Sequence, residues 1–201
     1  MIINFHMTHF LTSSIYAKCM DVKDCGIEIA LIGYSNSGKS TLINCLTRNK
    51  KLSRFSKYPG RTSLINFFSV NENLRIVDLP GYGYSKVHKN KQKNYSLVFN
   101  YIKYRSCLKG IFLLIDIRRL LRDTDIKFLR YCKQCINIVI LLTKCDKMNV
   151  SCQNRQIKLL KKQLFYFSKN IKIILFSSVK CIGLINVLKI IDFWFYKYVI
   201  F

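Results

Sequence analysis

Between the apolar run Ile27 to Ile32 and the helix-forming stretch Ser40 to Leu46 stands Gly33-Tyr34-Ser35-Asn36-Ser37-Gly38-Lys39-Ser40-Thr41. This is the spacing G-x-x-x-x-G-K-[ST], and its position constrains the chain more than any other feature. Gly33 and Gly38 let the backbone turn tightly, so that successive N–H groups point inward at phosphate oxygens. Lys39 carries a full positive charge to the β- and γ-phosphates, and the Ser40 hydroxyl suits a magnesium ion. The loop opens a helix, whose N-terminus favours anions. Such a loop needs a buried parallel strand before it and a helix packed on that strand after it.

The rest of the chain is compatible with that demand. Short apolar runs recur at Ser63 to Val70, Leu74 to Asp78, Gly110 to Ile115, Asn137 to Thr143 and Lys172 to Ser177. Helix-length segments lie between them: Lys91 to Cys107, Thr124 to Gln134, Ser151 to Phe167 and Gly183 to Tyr198. Alternating strands and helices predict an α/β fold with a mainly parallel sheet. The first two of these runs are close enough to form a hairpin across Asn71-Glu72-Asn73. In the last helix, Leu184, Val187, Leu188, Ile191, Phe195 and Tyr198 share a face. A closing helix packed on the sheet is the reading preferred to a membrane or partner helix. The only two prolines, Pro59 and Pro80, stand in Tyr58-Pro59-Gly60-Arg61-Thr62 and Asp78-Leu79-Pro80-Gly81-Tyr82-Gly83. Punctuation in this chain is concentrated where phosphates and switching loops would need it.

With 201 residues, half of them hydrophobic, the chain suits one domain with a substantial core. No apolar run approaches the ~18 residues of a membrane span, and the start lacks a basic segment followed by a long apolar one. A cytoplasmic monomer without stable membrane association is expected. The nine cysteines are scattered, and Cys132-x-x-Cys135 has no second pair at zinc spacing, so reduced thiols are expected. Lys and Arg number 34 against 10 Asp and Glu, a net charge of +24. That charge suits a polyanionic partner such as RNA. A/T-rich coding writes lysines on any surface too, so composition alone leaves both readings open. Lys86-Val87-His88-Lys89-Asn90-Lys91 is read first as solvated and second as an RNA contact.

Four further elements complete a constellation. Asp78 ends a strand and begins Asp-x-x-Gly, where a carboxylate can reach magnesium while the Gly81 N–H meets a γ-phosphate. Thr62 can offer its hydroxyl and carbonyl to magnesium and γ-phosphate only while a triphosphate is present, which makes its loop a switch. After a later strand comes Thr143-Lys144-Cys145-Asp146. The Asp146 carboxylate can accept from guanine N1–H and its exocyclic amine, while adenine would leave it short of donors. Lys144 can lie along the base. Phe176-Ser177-Ser178 would direct a backbone N–H at guanine O6, with Val179 packed near the base.

These segments together resemble the bacterial EngB family of GTPases, also called YihA or YsxC. The resemblance rests on Gly33 to Ser40, Ser56 to Phe68, Asp78 to Tyr84, Leu142 to Lys147 and Phe176 to Ser178, and runs from Thr8 to Trp194. It implies a single P-loop G domain with a six-stranded, mainly parallel sheet flanked by helices. Residues 25–198 would be the GTPase core and residues 1–24 an N-terminal extension. It implies GTP and Mg2+ at the C-terminal edge of the strands. The nucleotide would be held by Gly33 to Ser40, by Gly60, Arg61, Thr62, Ser63 and Leu64, and by Asp78, Leu79, Pro80 and Gly81. Thr143 to Asp146 and Phe176 to Ser178 would complete the site. Ser40, Thr62 and Asp78 would serve the metal. It also implies a role in assembling the large ribosomal subunit, with rRNA and ribosomal proteins as partners, and a need in normal cell division and septation. The rival reading is a septation regulator that binds division proteins or membrane and uses GTP only as a conformational ligand. Two departures stand out: Tyr34 where the family usually has Arg, and Asp116-Ile117-Arg118-Arg119-Leu120 where it has Asp-Ile-Arg-His-Pro.

Tyr82 follows the Asp-x-x-Gly where Ras-type enzymes carry a water-orienting glutamine, and a tyrosine cannot copy that amide. In related bacterial GTPases an asparagine at the position of Asn36 helps hold K+ against the phosphates. The expected catalytic set is therefore Lys39, Asn36 and Thr62, with K+ as a second cation and slow intrinsic turnover, on the order of 10⁻³ s⁻¹ or below.

Overall fold

The computed structural model describes residues 3–16, 21–53, 64–81, 88–132, 136–167 and 171–200. Seven strands form one sheet: β1 (His9–Ser14), β2 (Ile27–Gly33), β3 (Ile65–Asn71), β4 (Leu74–Asp78), β5 (Leu108–Asp116), β6 (Asn137–Thr143) and β7 (Lys172–Phe176). Their order across the sheet is β1-β3-β4-β2-β5-β6-β7. The five strands from β4 to β7 are mutually parallel, while β3 runs antiparallel to both β4 and β1. The expected hairpin is β3–β4.

The sheet has seven strands rather than the expected six, and the additional one is β1. Its sequence, His9-Phe10-Leu11-Thr12-Ser13-Ser14, lacks apolar alternation, and its first half is exposed. It is an edge strand held by backbone pairing to β3, with a register irregularity between Phe10 and Thr12. Phe10 adds an edge-to-face contact, with its ring 5.8 Å from that of Phe68, and the Ser13 hydroxyl donates to Asn66 Oδ1 at 2.7 Å. Backbone pairing leaves little trace in side-chain pattern.

Five helices cover the sheet: α1 (Lys39–Thr47), α2 (His88–Tyr104), α3 (Asp123–Tyr131), α4 (Val150–Leu164) and α5 (Leu184–Phe195). The alternation of each strand divides the core in two. Ala30 and Ile32 of β2, with Ile111, Leu113 and Ile115 of β5, meet α2, α3 and α4 through Val98, Tyr101, Phe128 and Leu160. Ile29, Leu31, Phe112 and Leu114 face the other way, onto α1 and α5 through Leu42, Ile43, Val187, Ile191 and Trp194. The last helix is therefore a closing helix. Its Trp194 lies across β5 at Gly110, where a Cβ would collide with the indole ring. In consequence Trp194 also packs on Phe112, centroids 5.2 Å apart.

At the N-terminal end of β2 a carboxylate is buried. Glu28 is fully enclosed and accepts from Arg75 (Nε, 3.0 Å), Arg105 (Nε, 3.0 Å) and the Tyr101 hydroxyl. The same arginines hold the chain that leads into β2: Arg105 donates to the Val22 carbonyl and Arg75 to that of Lys23, both at 2.9 Å. A buried charge is tolerated when paired and hydrogen-bonded in this way.

Candidate functional site

β2 is flanked by β4 on one side and β5 on the other, so the chain leaves it in one direction and later returns on the opposite side. Ligands of open α/β sheets bind at such a switch point, beyond the C-terminal ends of the strands. The loop Gly33 to Gly38 emerges there. Asn36 adopts a left-handed backbone, φ 63°, and Gly38 follows at φ 105°, which turns the chain directly into α1.

Lys39 is buried and its ammonium folds back on the loop, donating to the carbonyls of Gly33 (3.2 Å) and Tyr34 (3.4 Å). Burial pulls its pKa down, and the charge of Asp78 works against that. Asp78 closes β4 beside it. Burial pushes this carboxyl from 3.8 up to about 6, against the opposing pull of Lys39 and of the Ser40 hydroxyl. The Ser40 Oγ lies 3.5 Å from Asp78 Oδ2, while Asp78 Oδ1 is buried with no hydrogen-bond partner. Leu79 is buried, and its N–H donates to the Leu31 carbonyl at 3.1 Å. Gly81 then runs against the loop: a Cβ on it would stand 2.9 Å from the Ser35 nitrogen and 3.2 Å from Lys39 Nζ. Ser40, Asp78, Lys39 and Gly81 are thus one cluster, as the spacing predicted.

The segment expected to read the base sits at the ends of β6 and β7. Thr143 donates its hydroxyl to the Ser37 carbonyl at 2.8 Å, so the two loops are joined. Lys144 takes a left-handed conformation, φ 60°, which turns the chain into the short 3-10 helix Cys145–Lys147. Asp146 accepts at Oδ1 from the buried Ser177 hydroxyl, 2.7 Å away, which holds its carboxyl below the usual range. Cys145 is buried beneath the turn, and Phe176 is buried at the end of β7. Ser178 is half-buried beside Ser177, and Val179 is 79% exposed at the same end of β7.

Sequence reasoning missed the device that orients Lys144. Its ammonium lies 3.1 Å from Asp116 Oδ2 at the end of β5, and Arg118 pairs with the same carboxylate at 2.9 and 2.7 Å. Burial would raise the pKa of Asp116, but Arg118 and Lys144 outweigh it and hold the carboxyl well below the usual range. It missed Gln153 as well, which donates to the carbonyls of Cys145 (2.9 Å) and Met148 (3.0 Å). An acid at a strand end next to the loop was the available signal for the first. The second leaves none, because a helical glutamine is ordinarily solvated.

Tyr34, the departure in the loop, turns toward α3: its hydroxyl lies 2.5 Å from Thr124 Oγ1, and the Arg122 guanidinium stacks on its ring at 4.1 Å. Pro80 stands buried ahead of Gly81, and Leu64 is half-buried just before β3. Gly60, Arg61, Thr62 and Ser63 lie outside the described residues, as do Pro59, Tyr82, Gly83 and Lys86. Among the described residues Cys25, Cys45, Cys107, Cys145, Cys152 and Cys181 are free thiols. No described helix is long and apolar enough to cross a membrane.

Comparison with known proteins agrees with this geometry. Residues 28–144 match the family model described as 50S ribosome-binding GTPase. The chain is 46% identical to the probable GTP-binding protein EngB of Buchnera aphidicola subsp. Schizaphis graminum, over 98% of both chains. It is 41% identical to the protein of that name from Haemophilus influenzae, covering 96% of this chain and 95% of the other. Among solved structures, the crystal structure of a probable GTP-binding protein engB superposes with a TM-score of 0.69 at 22% identity. It covers 85% of this chain and 99% of its own, and supports the fold. Similarity sustained over nearly the whole of both chains, on a site so arranged, makes this protein a member of the EngB family of P-loop GTPases, enzymes that hydrolyse GTP.

Proposed function

We propose that this GTPase is a slow, Mg2+-dependent switch that acts on the large ribosomal subunit during its assembly, and is thereby needed for normal division and septation. The observation that carries the switch is the Asp78–Ser40 pair beside Lys39. A buried carboxylate with an unpartnered oxygen, facing a hydroxyl at 3.5 Å, is the donor set a hard divalent cation takes. Ser40 and Asp78 would hold Mg2+ with Thr62. When bound, the ion neutralises charge on the phosphates and on Asp78.

The chain's own residues would do the rest. The N–H groups of Gly33 to Ser40 cradle the phosphates, and Lys39 exchanges its two carbonyl partners for phosphate oxygens. Gly81 offers its N–H to a γ-phosphate, and its approach to Ser35 and Lys39 supports that role. Leu79 and Pro80 carry it there, and Gly60 to Leu64 would add contacts to the nucleotide. Asp146, already oriented by Ser177, accepts from guanine; Thr143, Lys144 and Cys145 shape its bed, with Phe176 and Ser178 on the far side. Asn36 is exposed on the loop, and its carboxamide oxygen is a neutral donor suited to K+. The working unit is residues 25–198, with 1–24 as an extension.

The family description and the +24 charge support an RNA-rich partner. Salt-dependent co-sedimentation with large ribosomal subunits, in GTP against GDP, tests the reading. GTP-favoured binding is expected. Equal sedimentation with both nucleotides, or none, would leave the septation regulator as the better account. Turnover measured in K+ and in Na+ tests Asn36, and equal rates would remove it from catalysis.

A further inference from the structure

We infer that the outward face of α4, with the two rings at its C-terminal end, is a docking surface for unpaired RNA. The inference rests on the ribosomal reading only for the source of that RNA. Arg155, Lys158 and Lys162 recur at helical spacing and share one exposed face with Ser151. With Asn154 and Leu159 they line a shallow groove along the helix. From Arg155 to Lys162 the stripe runs for about 10 Å. None of the three cations makes an ion pair among the described residues. No Asp or Glu occurs between Asp146 and Asp192, so no acid of that stretch can supply one.

Two costs separate this face from a merely solvated one. Arg155 with Lys158, and Lys158 with Lys162, are like charges three and four residues apart, an arrangement that destabilises a helix by itself. Lys162 stands in the last turn, where the helix dipole favours a cation; Arg155 and Lys158 are too far from it to benefit. The stripe then ends on Phe165 and Tyr166, which are 81% and 88% exposed, with ring centroids 5.6 Å apart. Two large apolar rings in water next to a row of cations are the parts of a single-strand site: cations follow the phosphates, and rings stack on splayed bases. An acidic peptide would use the cations and leave the rings idle.

The test uses the full chain, a short fluorescein-labelled single-stranded oligoribonucleotide, an RNA duplex of equal length and polyglutamate. The variant Arg155→Ala/Lys158→Ala/Lys162→Ala should bind the single strand at least tenfold more weakly. The slope of log affinity against log salt should be shallower by about 2, because three phosphates are no longer neutralised. Phe165→Ala/Tyr166→Ala should lose about 5- to 150-fold on the single strand and almost nothing on the duplex. GTP turnover should stay unchanged in both, and the unfolding midpoint should not fall in either; in the first it should rise slightly as the like charges are removed. Unaltered single-strand binding, equal losses on single strand and duplex, or preference for polyglutamate would each overturn the inference. So would particle co-sedimentation that survives both variants. Failure of the wild-type protein to sediment with large subunits would instead sink the ribosomal reading and leave the surface to be decided by the oligonucleotides.

Discussion

Replacing Asp78 by Asn should make the protein more stable without ligand and less able to use one. The carboxyl titrates near 6 in the fold against 3.8 ordinarily, so the folded state binds more protons than the unfolded one between those values. Stability associated with the protonated acid is fully present below 3.8 and is lost as pH rises through 6. At about 1.36 kcal/mol per pKa unit, ionised Asp78 costs about 3 kcal/mol at pH 7. An asparagine at this position is neutral and incurs none of that cost, while its amide keeps an oxygen toward Ser40. Lys39 offsets only part of the burial penalty, which is why the net shift is upward.

The assay is urea unfolding without nucleotide or Mg2+, followed by the fluorescence of the single, buried Trp194. The difference between Asp78→Asn and wild type should be near zero below about pH 3 and should grow to about 3 kcal/mol by pH 7. Other acids titrate in both proteins and cancel. Adding Mg2+ and GTP should reverse the order, because only the wild type keeps the carboxylate proposed to bind the metal. A difference that does not change with pH, or a variant less stable than wild type at pH 7, would refute the reasoning.

Three other outcomes follow from the bonds and packing around the site and core. Asp146→Asn should weaken GTP by at least about 100-fold and favour xanthosine triphosphate, whose C2 carbonyl can accept from the new amide. Competition binding with the two nucleotides reads it. Gly110→Ala should cost about 1–3 kcal/mol, because the new methyl meets the indole, and should cost less in a Trp194→Leu background; thermal unfolding of the double-mutant cycle measures this. Glu28→Gln should cost about 3 kcal/mol by stranding Arg75 and Arg105, yet leave nucleotide affinity unchanged, since it lies at the opposite end of β2 from the loop. Urea midpoints and nucleotide titration distinguish the two effects.

What could be read in the sequence is what fixed chemistry requires at fixed spacing. Lys39, Ser40, Asp78 and Gly81 come together because a phosphate loop and Asp-x-x-Gly each dictate a backbone path at a strand end. Asp146 is legible for the same reason. β1 was not, because edge pairing uses backbone groups that every residue has. Nor was the Asp116–Lys144–Arg118 group, which depends on the register of β5 against β6 rather than on local pattern. The hydroxyl bond from Ser177 to Asp146 was not legible either, since the segment Phe176-Ser177-Ser178 suggested only a backbone N–H for guanine O6. Side-chain hydrogen bonds between distant loops are set by tertiary distance, which one strand's sequence does not encode.

The bond from Thr143 to the Ser37 carbonyl has a consequence for what a cell can learn from this molecule. It fastens the segment proposed to read the base to the phosphate loop, so both halves of a bound guanosine diphosphate moiety would meet one frame. GDP and GTP should therefore be retained with similar strength by that frame. The information that distinguishes them must enter elsewhere, where Asp78 and Gly81 approach Lys39 and the third phosphate would arrive. Holding the ligand and reporting its length are then separable tasks, and substitutions should be able to silence the signal while leaving occupancy intact.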